Sequence, residues 1–476
     1  MLQLHSHQRR ENLKMKHFTK VFVLCSMFFL AACDSDDQNI VEGVPVPPEP
    51  TTTLKVQVLH ASPDAPAVNV YVNDAETLTE VDYKVGSGAL ELDPAVYNVR
   101  VEAIIPGGNA DVVDADLSLV GGFIYTVAAI GSVADGTFEP FIIDQQDVPV
   151  TAGSARLFVL HAAEGAPEVD VYVTDPTTDL APGLAPTGTF EYKGTIGPAE
   201  VPAGDYRIRV TAAGDQEAIV FDSGTVALND GDDLTIAAVT NTAGGVDPEA
   251  APISLVALTG AGSAEILDVD TNTSLQVVHA SPDAGLVDIV VNGDVALQLD
   301  FPQATGFLDL PADTYNIAVT APGNISAAAI GPVDLELLGG TRYSILAVGK
   351  VMDMSIEPLI LTDDARRVAT NAKVRIVHAS PTAMDVDIYV TAVGAGILDT
   401  DPTLANIPFK ANTGFIPLPA GDYDVTVTPA GLKDAAIGPA TISISNSGIY
   451  TVIARDPLPG ATELGVISSD DSPFGT

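Results

Sequence analysis

The chain has no tryptophan, two cysteines, seven histidines and only 21 basic residues against 63 acidic ones. Each shortage excludes something. Without tryptophan, and with aromatic residues at 6%, there is little surface on which sugars or bases could stack. A formal net charge of −42 repels nucleic acid and anionic lipid headgroups, and no basic groove offsets it, so no nucleic-acid partner is expected. There is no glycine-rich phosphate loop and no cysteine pair, which removes nucleotide and redox roles. No segment beyond the N-terminus keeps a 3.6-residue period, so little helix is expected. What is abundant points elsewhere. Hydrophobic residues make up 46% of 476, enough for three or four domains of roughly 100–150 residues, each with its own core. The 41 glycines and 34 prolines, with many Val and Thr, favour strands and turns.

The charge is uneven along the chain. The first 32 residues hold five basic residues (Arg9, Arg10, Lys14, Lys16, Lys20) and one acidic residue (Glu11), leaving 16 basic and 62 acidic in the rest. Lys16 and Lys20 precede an apolar run from Val21 to Leu30, the pattern of an export signal, with Met1 and Met15 both open as the start. Ten residues reach about 15 Å as a helix, too short to cross a bilayer. Leu30-Ala31-Ala32-Cys33 then resembles the bacterial lipobox, in which small residues fit the signal peptidase and the cysteine thiol is diacylated. An ordinary signal peptide ending by coincidence at a cysteine is the alternative, and cysteine arithmetic argues against it. Cys25 lies in the segment that is removed, so Cys33 is the one thiol left on an exported chain and has no disulfide partner. Residues 33–53 read as the lipidated cysteine and a polar, Pro-rich tether whose extended reach is roughly 60 Å. The expectation is an extracytoplasmic protein attached to a bacterial membrane through its N-terminal lipid, periplasm-facing or at the cell surface.

The four remaining histidines fall in one recurring phrase: LKVQVLHASPDAPAVNVYV from Leu54, RLFVLHAAEGAPEVDVYV from Arg156, LQVVHASPDAGLVDIVV from Leu275 and VRIVHASPTAMDVDIYV from Val374. A second block recurs with fixed internal spacing. An aromatic residue (Tyr83, Tyr192, Phe301, Phe409) is followed after five residues by Gly (Gly88, Gly197, Gly306, Gly414) and after nine more by Tyr97, Tyr206, Tyr315 or Tyr423. The phrases alternate with period two, as half-buried strands do: Val56, Val58 and His60 share one face, Gln57, Leu59 and Ala61 the other. Asn73-Asp74 and Asn292-Gly293 supply turns. Seven or eight short strands per repeat predict an all-β chain of four tandem immunoglobulin-like antiparallel β-sandwiches, placed at residues 54–150, 154–265, 273–370 and 372–476 after the signal (1–32) and tether.

The phrases DPAVY, VPAGDY, LPADTY and LPAGDY put a turn before Tyr97, Tyr206, Tyr315 and Tyr423. That resembles the tyrosine corner, where a strand-opening phenol bonds back to nearby backbone, and gives these tyrosines a structural role. With its HASPDAPxVxVYV opening and later PAGxY strand, the sequence from about residue 54 to 476 resembles the bacterial domain-of-unknown-function family 4397, although the second copy has Ala163-Glu164-Gly165 in place of Ser-Pro-Asp. The resemblance implies extracytoplasmic β domains, often in tandem on lipoproteins, and no established activity.

The copies differ in one loop. From the motif histidine to the next aromatic is 23 residues in copy one and 22 in copy three, but 31 in copies two and four. The extra residues fall in Thr174–Gly188 and Thr391–Asn406, and the short-long-short-long order suggests a duplicated two-domain unit.

His60, Ser62 and Asp64 invite a catalytic triad, but residues two apart on a strand separate their side chains by roughly 6.5–7 Å, and copy two lacks the serine. His60, His161, His279 and His378, each with Asn69, Asp170, Asp288 or Asp387 nine residues on, offer too few ligands for zinc. A neutral imidazole bonded to backbone or to that Asp or Asn is the expected outcome, and neither a metal nor another cofactor is expected. Asp-rich stretches at Asn229–Asp233 and Asp268–Asp270 leave weak Ca²⁺ binding open, without the twelve-residue EF-hand pattern. The leading expectation is a non-enzymatic, lipid-anchored cell-envelope protein with a binding, adhesion or structural role and an unidentified protein or glycan partner. A Ca²⁺-dependent adhesin or ligand carrier is the alternative, and a secreted hydrolase the remote one.

Overall fold

A computed structural model describes residues 52–244 and 252–470. Cys33, Leu30, Ala31, Ala32 and nearly all of the tether lie outside the described residues. Thr51–Thr476 forms one compact unit, and its described residues are strands, turns and loops, with no helix among them. The alternating apolar pattern therefore folds as its period demands.

One topology occurs four times. The first strands are Leu54–His60, Ser154–His161, Thr273–His279 and Ala372–His378. In every repeat the fourth, first, seventh and eighth strands form one sheet in that order, and the third, second, fifth and sixth form the other. The second repeat adds a ninth strand, Ser263–Ile266, beside its eighth. The chain is thus all-β and built of repeated two-sheet sandwiches. Each sandwich is not purely antiparallel, however, because its first strand runs parallel to its seventh, as Lys55–His60 do to Ile124–Ala129. Nor is the strand order that of an immunoglobulin constant domain, which keeps its first two strands in one sheet. Here the turn after the motif histidine carries the chain across to the opposite sheet. The likeness to immunoglobulin domains lies in the two layers.

Within each sandwich the inward faces form a core. In the second repeat Leu157, Val169, Val171, Ile208, Val210, Phe221 and Ile236 are packed together, and each such side chain contributes about 1.5–3 kcal/mol on burial. A further set of apolar residues lies outside the sandwiches and between them. Leu59, Ala61, Ala128 and Ile130 of the first repeat form a single cluster with Leu160, Ala162, Ala237, Val239, Val256 and Leu258 of the second. Val278, Ala280, Leu346, Val348 and Leu361 of the third do the same with Val377, Ala379, Ile453 and Ile467 of the fourth. The packing at this seam is close: a Cβ on Gly86 would stand 2.0 Å from Leu258 Cδ2, so a larger residue there would have to displace that buried side chain. Polar contacts ring it, including Lys84 with Glu265 at 2.6 Å and Gly86 N donating to Ser263 Oγ at 2.8 Å.

The two pairs also touch. Arg366, between the third and fourth repeats, donates to the carbonyl of Ala65 at 2.8 Å and pairs with Asp82, while Ala369 N donates to Asp64 O at 2.8 Å. Gly244 N donates to Gly340 O at 3.0 Å. The four tandem sandwiches are therefore arranged as two pairs within one body.

Because the seam is shared, Leu258→Ala is expected to cost about 2–5 kcal/mol and to loosen both members of the pair. Hydrogen exchange would read this as faster exchange around Leu59 and Ala128 as well as around Leu258. Acceleration confined to the second repeat would contradict the shared core.

Candidate functional site

The recurring histidine phrase builds the same loop in each repeat. At the end of the first strand the histidine turns inward, and its Nε2 meets the carbonyl six residues on: Pro66 O at 3.1 Å from His60, Gly285 O at 2.8 Å from His279, Met384 O at 3.0 Å from His378. Ser281 N and Ser380 N each donate to the Nδ1 of their histidine at 3.3 Å, so the ring is neutral with its proton on Nε2. His161 faces the carbonyl of Pro167, but neither of its ring nitrogens closes a hydrogen bond. Each ring also stands edge-on to the aromatic residue of the second block, with centroids 6.2 Å apart for His60–Tyr83, 6.4 Å for His161–Tyr192, 6.1 Å for His279–Phe301 and 6.2 Å for His378–Phe409. Both blocks were visible in the sequence. That they touch was not, because nothing local fixes a contact more than twenty residues apart. Burial pulls His60, His161 and His279 below the ordinary value of 6.5.

The serine and aspartate of HASPD hold the loop after the seventh strand. Ser62 Oγ donates to Gly131 O at 2.6 Å, and Asp64 accepts from Val133 N, Ala134 N and Ser132 Oγ, all at 2.9 Å. Asp283 accepts from Val351 N at 2.8 Å and Met352 N at 3.0 Å. In the fourth repeat, where Thr382 replaces the aspartate, Asp456 comes from the other side of the contact and accepts from Ser380 Oγ and, at 2.7 Å, from Thr382 Oγ1. His60, Ser62 and Asp64 are thus bonded to separate backbone groups and not to one another.

The acidic residue nine positions after the histidine caps a different turn. Asp170, Asp288 and Asp387 each accept at 2.8 Å from the amide of a glycine with positive φ: Gly214, Gly323 and Gly431. Asn69 accepts instead from Glu80 N at 3.0 Å. None of the four meets its histidine. The corner tyrosines donate to the carbonyl four residues upstream: Tyr97 to Asp93 at 2.8 Å, Tyr206 to Pro202 at 2.8 Å, Tyr315 to Pro311 at 2.9 Å and Tyr423 to Pro419 at 3.0 Å.

The Asp-rich stretches are turn caps. Asp232 accepts from Asn229 N at 2.7 Å, Asp233 pairs with Arg156, and Asp268 accepts from Asp222 N at 2.7 Å and Asp270 N at 2.8 Å. Among the described residues no group of three or more His, Cys, Asp or Glu is placed to hold a metal ion. The long loops of the second and fourth repeats fold back onto their own sandwich, pinned by Gln216 Nε2 donating to Leu184 O at 2.7 Å and Lys433 Nζ to Ile397 O at 2.9 Å.

The model of the domain of unknown function DUF4397 matches residues 54–172, 273–389 and 372–475, together more than half of the chain. The chain belongs to the DUF4397 family. Two of these matches run past one DUF4397 sandwich into the next and end at Tyr172 and Tyr389, in the second strand of the even-numbered repeats. The second repeat, with its altered HAAEGAP loop, has no match of its own. No curated protein matches the chain. Among solved structures, a product complex of a multi-modular glycogen-degrading pneumococcal virulence factor, SpuA, overlaps at 10% identity and a TM-score of 0.16. It covers 56% of this chain and 37% of its own length, a superposition too poor to mark a common fold.

The buried DUF4397 histidines have a pH consequence. Since the folded state holds His60, His161 and His279 below their unfolded value of 6.5, the unfolded chain takes up protons first on acidification. Their contribution is complete above about pH 6.5 and is lost as pH falls below it. Thermal melts between pH 8 and 5 should show Tm falling below about pH 6.5, less steeply in His279→Gln. An identical slope in that variant would rule the histidine out as a source.

Proposed function

We propose that this DUF4397 chain is a non-enzymatic, lipid-anchored protein of the bacterial cell envelope whose four sandwiches bind a protein or glycan partner or build surface structure. One observation carries the non-enzymatic reading. The side chains able to do chemistry in the recurring motifs (His, Ser, Asp and Tyr) are nearly all bonded to backbone groups that hold loops and corners in place. A nucleophile needs a base within hydrogen-bond reach, and Ser62 instead donates to the backbone carbonyl of Gly131. The anchor rests on the LAAC sequence at Leu30–Cys33 and on the absence of a disulfide partner for Cys33. Four copies on one tether would turn weak individual contacts into avid attachment, which is a physical reason to repeat a domain without catalysis.

The test of the anchor is metabolic labelling with radioactive palmitate. Label is expected on the full chain and absent from Cys33→Ala, which should also leave the membrane fraction. Undiminished labelling of Cys33→Ala would end the proposal of attachment there. For the non-enzymatic reading, a screen of ester, glycoside and peptide substrates should find no turnover. Turnover that disappears in Ser62→Ala would replace this reading with a hydrolase.

A further inference from the structure

Between the two sheets of the third repeat lies a cavity of about 230 Å³ whose wall is almost wholly apolar. Val277, Ile289, Ile330 and Ile345 line its interior. Leu308, Val333 and Ile360 bring it to the sandwich margin, since they stand on the fourth, sixth and eighth strands, which are sheet edges, and are 43%, 47% and 44% exposed. The matching space in the second repeat is about 30 Å³. The strand registers show what fills it there. Val210 pairs with Phe221 where Val319 pairs with Ile330, and Val169 pairs with Phe190 where Val287 pairs with Leu299. Two rings occupy the second sandwich at positions where the third has branched aliphatic side chains. A void of this size is expensive to leave in a folded core, and an apolar cavity of about 150 Å³ is already known to stay dry and bind benzene.

We infer that the third repeat is a binding site for a small uncharged aliphatic ligand, such as a medium-length alkyl alcohol or ester. At about 30 Å³ for each methylene-sized group, the cavity holds on the order of seven or eight carbons. The chemistry of the wall excludes a charged headgroup inside. Its one hydroxyl, on Tyr315, is bonded to Pro311 O at 2.9 Å, and no cation lines the site. A net charge of −42 on the chain also disfavours a carboxylate at the entrance. This goes beyond the anchored, non-enzymatic role and stands without it.

The experiment titrates the full chain carrying Cys33→Ala, so that no attached acyl group competes, with 1-octanol and with octanoate. Octanol should raise Tm by several degrees with saturation, and octanoate should not. Ile330→Phe, which transplants the second repeat's residue, should remove the octanol shift. If that variant does not fold, methyl NMR of the parent decides instead. Signals of Ile289, Ile330 and Ile345 should move with octanol while Ile208 and Ile236 of the second repeat stay still. No saturable shift with octanol, an equal shift in folded Ile330→Phe, or equal movement of both isoleucine sets would overturn the assignment.

Discussion

A strand with two buried faces is the constraint from which the rest of this molecule follows. In the first repeat Leu54 and Val56 point into the sandwich, and Leu59 and Ala61 point out of it into the neighbouring repeat. The sheet that carries this strand therefore has no solvent face at its centre. That is also the sheet containing the parallel pair, in keeping with the tendency of parallel strands to be covered on both sides. The other sheet needs only one covered face, and its sixth strand, Ala110–Leu119, alternates exposed acidic residues with inward Val and Leu. One sandwich alone would leave Leu59, Ala128 and Ile130 in water. Pairing is the way the sequence buries them.

Much of this could be read from the residues, and the part that could not has a physical reason. Period-two alternation gave the strands, and the repeated phrases gave four copies with their corner tyrosines. The same alternation sorted Gln57, Leu59 and Ala61 onto one face of the first strand. It could not say that this face is covered, because a strand pattern records polarity and not the identity of what lies opposite. Connectivity was less legible still. The loop His60–Val68 is equally compatible with a return to the same sheet or a crossing to the other, and the crossing is what separates this topology from the immunoglobulin one. At the candidate site the sequence leaves the histidine bonded either to backbone or to the Asp or Asn nine residues on, and in the structure His60, His279 and His378 meet backbone carbonyls while His161 closes no hydrogen bond. The edge-on contact between each ring and the block aromatic spans more than twenty residues and leaves no local signal in the sequence.

The excess of acidic residues has a local side as well as a global one. Carboxylates accept hydrogen bonds better than any neutral side chain and tolerate turn positions, so they serve as caps wherever a strand pair reverses. Asp64, Asp170, Asp268, Asp283, Asp288 and Asp387 are all used in this way, each satisfying backbone amides that would otherwise lie unpaired. Part of what reads as surface charge in the composition is thus the hardware of the loops. It also explains why Asp-rich stretches that look like cation sites hold no ligand cluster: their oxygens already face amides and guanidinium groups.

The pairing reveals how the four copies are related. Three residues before the motif histidine, the first and third repeats both carry glutamine, and each reaches across the seam into its partner: Gln57 Nε2 to Thr235 Oγ1 at 3.2 Å, Gln276 Nε2 to Ser469 Oγ at 3.3 Å. In the even repeats the lysine after the block aromatic crosses in the other direction. Lys193 pairs with Glu139, and Lys410 with Glu357 at 2.5 Å, both glutamates opening the eighth strand of the odd repeat. A single sandwich duplicated four times would give no reason for both odd copies to hold the glutamine and both even copies to send a lysine to the glutamate that opens their partner's eighth strand. A duplicated pair does, because each member keeps its own half of a seam. The short and long loops fall into the same two classes, so the alternation in length along the sequence and the contacts across the seam have one origin. At the position of the glutamine the even copies carry buried Phe158 in one and Arg375 paired with Asp363 in the other. Both positions are buried, and in the second pair the charge pair to Asp363 crosses the seam to the third repeat.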